Sequence, residues 1–326
     1  FWDKFIHPFF GSALMVRLLL TGELCVLRDR DRNGYYFLAN LSCREKRLTG
    51  KQVGELMEEE LQLRIHGDKS LPTLIYLPGL HGDWTLIGGF LQALEGRVCF
   101  IEIAYPRTLV WSLDDYAAAI EKTLAQNGIR SGWLLGESFG SQPLWALVER
   151  GKFRAQAVIL AGGFVRHPMR WAVRLAERLT GRMSNALFIW IIFNYAKIAR
   201  LRHHRSPKVL ARIDEFVERR TALDRRAAQH RLHLIAEFDP RAIARHVKLP
   251  VFCLSGIFDP IVPWPFVRRW LRRNCPALRD YKIICNADHN VLGTAAKTAA
   301  KQVLEWKSGL TATNLPAGKT HSQPVK

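Results

Sequence analysis

Apolar residues along this chain gather into short dense runs separated by longer segments of mixed polarity. Leu74–Leu77, Arg97–Ile103, Trp133–Leu135, Ala155–Leu160, Leu249–Ser255 and Tyr281–Cys285 are runs of this first kind, rich in β-branched and bulky side chains and as long as buried strands. Leu113–Asn127, Ser138–Arg150, Trp264–Cys275 and Gly293–Ser308 read as helices between them. Ser112 caps the first of these, with Asp115 at the third helical position, and Gly128 closes it. Strands alternating with helices of about 10 to 15 residues predict an α/β fold, a mostly parallel central sheet with helices on both faces.

Residues 164–245 break that rhythm. They hold no convincing strand and a series of helix-like segments, and are expected to form a helical lid inserted after the sixth sheet strand, dividing the core into residues 71–163 and 246–308. Trp171, Leu175 and Leu179 fall on one helical face, and Arg170, Arg174 and Arg178 on another. Asn185–Ala199 is apolar almost all round, but its uninterrupted stretch, Ala186–Phe193, is well short of the roughly 20 residues of a membrane span. It reads as a buried helix over a pocket, with interfacial contact with lipid as the alternative. Trp171, Phe188 and Trp190 are therefore candidate substrate-pocket residues.

Residues 1–70 carry two predicted strands between Glu23 and Leu41, turned at Asn33-Gly34, and a helix over Thr49–Leu63 capped by Thr49. Trp2, Phe5, Phe9 and Phe10 in the first 11 residues suggest docking onto the core or onto a membrane surface. Arg17 interrupts the apolar stretch Gly11–Leu20 and no small-residue cleavage site follows, so no signal peptide is expected. Residues 309–326, mixed in Gly, Pro, Thr and Ser, are expected to be a disordered tail.

The candidate chemistry begins at Trp133–Ser141, W-L-L-G-E-S-F-G-S, which places Ser138 in a G-x-S-x-G frame after an apolar run. A strand that turns sharply into a helix needs small residues at Gly136 and Gly140, and leaves the serine hydroxyl at a helix N-terminus, where backbone N–H groups favour a developing oxyanion. A serine nucleophile needs a base, and the base an orienting acid. Asp259, in S-G-I-F-D-P, and His289, in C-N-A-D-H-N, both follow predicted strand ends, in the order acid then histidine. Asp288, adjacent to His289, is a poor rival because neighbouring side chains diverge, and Asp280 precedes its strand. Upstream, L-I-Y-L-P-G-L-H-G-D (Leu74–Asp83) is a strand followed by a Gly-rich loop able to aim a backbone N–H at a carbonyl oxygen, with His81 a loop or pocket group.

These four motifs, in this order, resemble the α/β-hydrolase family, serine-nucleophile branch, over residues 70–308. The resemblance implies Ser138 as nucleophile, Asp259 as acid and His289 as base, with the backbone N–H groups of Leu80 and Phe139 as oxyanion hole. This chain departs from many members in reading Pro78-Gly79 where they have His-Gly. The implied activity is cofactor-free hydrolysis of a small-molecule carboxylic ester with an apolar acyl or alcohol group. Thioesterase, C–C hydrolase, acyltransferase and haloperoxidase chemistry remain open alternatives, as does a non-catalytic ligand-binding protein on the same fold.

Composition adjusts this picture at one point. The net charge is +19 over 326 residues, and residues 164–250 hold 19 Lys and Arg against 7 Asp and Glu. That basic lid is either a solvated face or a surface for an anionic membrane, nucleic acid or an acidic substrate. No nucleic-acid motif accompanies it, so no nucleic-acid partner is expected. Cys99, Cys253 and Cys285 fall in predicted buried strands, the other three of the six cysteines have no motif spacing, and His203-His204 lacks ligand partners, so no metal site is expected. A cytoplasmic location follows, with peripheral membrane contact as its variant; oligomeric state has no signature in the sequence.

Overall fold

A computed structural model describes residues 60–202, 204–205 and 207–313, together with two strands nearer the N-terminus. Those strands, β1 (Cys25–Arg28) and β2 (Tyr35–Leu38), pair antiparallel with Arg28 opposite Tyr35; the turn expected at Asn33-Gly34 lies outside the described residues. The first 11 residues and most of the helix expected over Thr49–Leu63 lie outside the described residues; its last two positions belong instead to strand β3 (Gln62–His66).

The main sheet contains β3, β4 (Thr73–Leu77), β5 (Cys99–Ala104), β6 (Ser131–Glu137), β7 (Arg154–Ala161), β8 (Val251–Gly256) and β9 (Leu278–Ile284). Their spatial order is β3-β5-β4-β6-β7-β8-β9, with only β3 antiparallel to its neighbour. Side chains alternate across a strand, so each strand feeds two cores. Ile75, Leu77, Ile101, Leu134 and Val158 pack with Tyr116, Ile120 and Leu124 of α2 (Leu113–Gln126) and with Leu144 and Trp145 of α3 (Ser141–Arg150). Leu74, Tyr76, Phe100, Leu135 and Ile159 pack with Phe90 of α1 (Gly88–Leu94) and, from the C-terminal part of the chain, with Val303 and Trp306.

Between β7 and β8 the chain forms α4 (Arg170–Arg182), α5 (Asn185–Arg202), α6 (Pro207–Glu218), α7 (Ala222–Glu237) and α8 (Arg241–His246). This insertion follows the fifth strand of the main sheet, not the sixth, because the hairpin β1-β2 pairs only with itself. Arg225 of α7 ties the α4–α5 corner by donating to the Thr180 and Gly181 carbonyls and to Asn185 Oδ1. After β8 come α9 (Trp264–Asn274), α10 (Val291–Thr294) and α11 (Ala296–Thr313), the last of which makes residues 309–313 helical rather than part of a tail.

Two smaller expectations are also corrected. Strand β9 stops at Ile284, so Cys285 sits exposed in the following turn while Cys275, at the end of α9, is buried. Asp280 lies inside β9 rather than before it, where its Oδ2 accepts from the Trp306 indole at 2.8 Å. No helix among the described residues is long and apolar enough to cross a membrane.

Candidate active site

Strand β6 ends at Glu137 and the chain turns within one residue. Ser138 takes φ 49°, and among the described residues it alone of the non-glycines has positive φ. Holding an L-residue there costs about 1 to 3 kcal/mol and persists only where the surroundings impose it. The imposition is visible at the two glycines: a Cβ on Gly140 would lie 2.1 Å from the Leu77 carbonyl oxygen, and one on Gly136 would lie 2.8 Å from the Gly140 oxygen. Ser138–Gly140 forms a tight turn that runs into α3, and Ser141 Oγ donates back to the Ser138 carbonyl at 2.7 Å. The Phe139 N–H stands in this first turn, where helical geometry supplies no acceptor.

The loops after β8 and β9 bring the acid and the histidine to this serine. Asp259 Oδ1 accepts from the Ile261 and Val262 N–H groups at 2.9 and 2.8 Å, which fixes the carboxylate and leaves Oδ2 to accept from His289 Nδ1 at 2.8 Å. A carboxylate only accepts, so Nδ1 carries the proton and Nε2 of the neutral ring accepts from Ser138 Oγ at 2.8 Å. The approach is close on all sides: a Cβ on Gly256 would meet the Asp288 oxygen at 2.2 Å, and one on Gly162, at φ 55°, would meet the His289 oxygen at 2.6 Å. Asp288 takes part in its own turn, its Oδ1 accepting from the Asn290 N–H and from Thr294 Oγ1.

After β4, the Gly82 N–H donates to the Gly79 carbonyl at 3.0 Å and closes a turn with Leu80 and His81 at its centre. Both residues line a cavity of about 380 Å³ that also contains Ser138 and His289. Its apolar wall is Leu80, Leu86, Phe164, Val173, Leu232, Ile235, Ile261 and Val262. Burial pushes the His81 imidazole down to about 4, so it is neutral at ordinary pH. His167, also on the wall, is lowered by burial, its Nδ1 accepting from the Met169 N–H at 3.2 Å and its Nε2 facing the Ile261 carbonyl.

Three of the expected pocket residues are elsewhere. Trp171 is 69% exposed, Trp190 is 54% exposed and Phe188 is half-buried, and none of them lines the cavity. Helix α4 turns Val173 inward, which leaves Trp171, Leu175 and Leu179 on the outer side; an apolar stripe had marked the wrong face. The residues that do close the cavity from the insertion, Val173, Leu232 and Ile235, carry no motif, and only their place on the cavity that holds Ser138 identifies them. Glu137 is a further resident that the sequence reading passed over. It is buried at the cavity floor, accepts from Tyr76 Oη, and burial raises its carboxyl to about 7.

No protein-family model matches the sequence, and no curated protein matches it. Among solved structures, the chain is similar to a hydrolase from Pseudomonas aeruginosa PA01 with a TM-score of 0.62 and 13% identity, covering 88% of this chain and 99% of that one. It is similar to a thermophilic esterase from Thermogutta terrifontis with a TM-score of 0.60 and 18% identity, again over 88% and 99% of the two chains. A third, an alpha/beta hydrolase enzyme from a Medee basin deep-sea metagenome, matches with a TM-score of 0.60 and 14% identity over 76% of this chain and 94% of that one. With its mostly parallel seven-stranded sheet, helices on both faces and sharp turn after β6, the protein has the α/β-hydrolase fold.

Proposed function

We propose that the protein is a serine hydrolase of carboxylic esters that works through an acyl-enzyme. The observation that carries this reading is the unbroken chain Asp259–His289–Ser138, two hydrogen bonds of 2.8 Å ending on a hydroxyl at a cavity wall. Ser138 Oγ attacks the acyl carbon as its proton passes to His289 Nε2, and the Leu80 and Phe139 N–H groups receive the oxyanion. The imidazolium, steadied by Asp259, protonates the departing alcohol. Water then gives its proton to Nε2 and attacks the acyl carbon, releasing the acid and restoring Ser138. The apolar wall favours an uncharged aliphatic or aromatic acyl or alcohol group. The likeness to the Thermogutta terrifontis esterase agrees with this direction. Thioester or C–C bond cleavage and acyl transfer would use the same three residues. Helices α4–α8 act as the lid, since α4 and α7 supply Val173, Leu232 and Ile235 to the cavity.

The deciding experiment is labelling with a fluorophosphonate probe alongside turnover of p-nitrophenyl esters. Wild type should label at Ser138, and Ser138→Ala should lose labelling and about 10⁴-fold or more of turnover while keeping its fold. A folded Ser138→Ala variant with near wild-type turnover ends this reading.

A second feature concerns the partner. Leu187, Trp190, Ile191, Ile198 and Leu201 are all exposed and, at 3.6 residues per turn, fall within an arc of about 100° on α5. Trp171, Leu175 and Leu179 are likewise exposed on α4, among Arg174, Arg178 and Arg182. Aromatic and aliphatic residues beside arginine suit a helix lying on an anionic bilayer. Sedimentation with phosphatidylglycerol vesicles should show binding that weakens with salt and is lost in Leu187→Ser/Trp190→Ser; salt-independent or absent binding returns the face to solvent.

A further inference from the structure

Four consecutive carbonyls of the loop after β4 are each held. Gly79 O accepts from the Gly82 N–H at 3.0 Å and Gly82 O from the Tyr105 N–H at 2.8 Å. The two between them are held from the insertion: Leu80 O by Arg231 Nη1 at 2.9 Å, and His81 O by Arg220 Nη1 at 3.3 Å. Arg220 also pairs with Asp83 Oδ2, whose partner oxygen Oδ1 accepts from the Thr85 N–H.

Arg231 is the unusual member. It projects from α7, is 2% exposed, and its second terminal nitrogen donates to the Pro106 carbonyl at 3.1 Å. One planar guanidinium thus joins the loop after β4 to the loop after β5. Among the described residues no carboxylate lies within salt-bridge distance of it, and the contact that remains is with the Tyr105 ring, whose centroid is 5.7 Å away. The same ring meets Phe139 edge-to-face at 5.8 Å. A buried cation without a carboxylate is costly, and a leucine would fill such a volume more cheaply. Gly82 fits the same reading: a Cβ there would lie 2.4 Å from Arg231 Nη1, so the loop leaves space for the guanidinium.

We infer that Arg231 is a positioning residue for the oxyanion hole. The Leu80 N–H belongs to the Gly79–Leu80 peptide, whose carbonyl the Gly82 N–H holds; by gripping the next carbonyl, that of Leu80, with Arg220 gripping that of His81, Arg231 keeps this turn in place with the Leu80 N–H toward the cavity above Ser138. Through Tyr105 it also braces Phe139, the second donor. This inference rests on the serine-hydrolase reading for its consequence in catalysis, but not for the clamp itself.

The test is Arg231→Met, with Arg231→Lys beside it and Arg226→Met, exposed on the same helix, as a charge control. Hydrogen exchange of the 79–83 amides reports the clamp whether or not any ester is cleaved, and it should rise in Arg231→Met with the β4 and β6 amides unchanged. On a p-nitrophenyl ester, kcat should fall roughly 10²-fold with KM within about twofold, because a displaced oxyanion donor affects the tetrahedral state alone. A trifluoromethyl ketone, which forms that tetrahedral adduct, should bind weaker by a similar factor, whereas the carboxylate product should not. Added guanidinium ion should restore part of the rate. Arg231→Lys should fall between, since one ammonium cannot reproduce a two-pronged contact with both carbonyls. Unchanged exchange at 79–83, or a loss confined to KM, or a loss shared equally by Arg226→Met, overturns the inference. If Arg231→Met does not fold, Arg231→Lys decides, and wild-type exchange and kcat there overturn it too. A wild type with no hydrolysis at all removes the hydrolase reading and leaves the exchange result standing.

Discussion

Glu137→Gln should remove a large part of the protein's pH dependence of stability. Glu137 precedes Ser138, is 3% exposed, and its carboxyl is raised from 4.5 to about 7 by burial, against the opposing hydrogen bond from Tyr76. Tyr76 itself is buried and pushed well above its usual value, so it remains a donor throughout. The folded state therefore holds the Glu137 proton more tightly than the unfolded chain does. Its contribution is fully present below about 4.5 and is lost as pH rises through about 7. A rise from 4.5 to about 7, at about 1.4 kcal/mol per unit, amounts to about 3 kcal/mol. For a domain of this size that corresponds to roughly 6 to 12 °C in Tm. Glutamine keeps the shape and an acceptor for Tyr76 Oη but cannot ionise. Thermal melts from pH 4 to 9 should show wild type losing this much more than Glu137→Gln, with the gap opening above about pH 4.5 and levelling off just above about 7. Parallel curves, or a variant that is the less stable of the two at pH 9, would refute the reasoning, because ionisation at the cavity floor would then cost the fold nothing.

Asp259→Asn should lower kcat by about 10⁴ by permitting the wrong imidazole tautomer, while Asp288→Asn should change it less than about threefold, as steady-state kinetics will show. Gly140→Ala places a methyl 2.1 Å from the Leu77 carbonyl oxygen, and should either prevent folding or destabilise by more than about 4 kcal/mol in a denaturant titration. Along a series of p-nitrophenyl esters, kcat/KM should climb up to about fourfold per methylene, at about 0.8 kcal/mol each, until the cavity is full. Val173→Trp should move the maximum to a shorter acyl chain and Trp171→Ala should leave it in place.

The sheet and the Ser138, Asp259 and His289 loops were legible because their signals are local. A strand buried on both faces must be continuously apolar, and an elbow at φ 49° needs glycine on either side of Ser138 wherever the backbone presses on Leu77. Asp259 and His289 sit a few residues beyond strand ends, so the order of strands along the chain sufficed to place them on one edge. The inner face of α4 was not legible. Trp171, Leu175 and Leu179 are bulkier than Val173 and form the longer apolar stripe, and nothing within the helix says which side its neighbour α7 will take.

The charge of the insertion is only partly legible for a related reason. Counted along the sequence, its arginines form a surplus whose place is solvent or an anionic surface. In the folded chain several of them point at the core: Arg212 to the fully buried Glu102 at 2.7 Å, Arg219 and Arg220 to Asp83, and Arg231 to two loop carbonyls. Asp224 returns the contact, accepting from Arg107 of the core at 3.1 Å. Partners more than a hundred residues apart in sequence leave no periodic trace, so a charge count cannot separate a surface cation from a buried strut. Partly buried pairs are screened far less by salt than exposed ones. The two populations should therefore respond differently: salt that strips the outer arginines of α4 from an anionic surface leaves the inner ones holding the Leu80 loop.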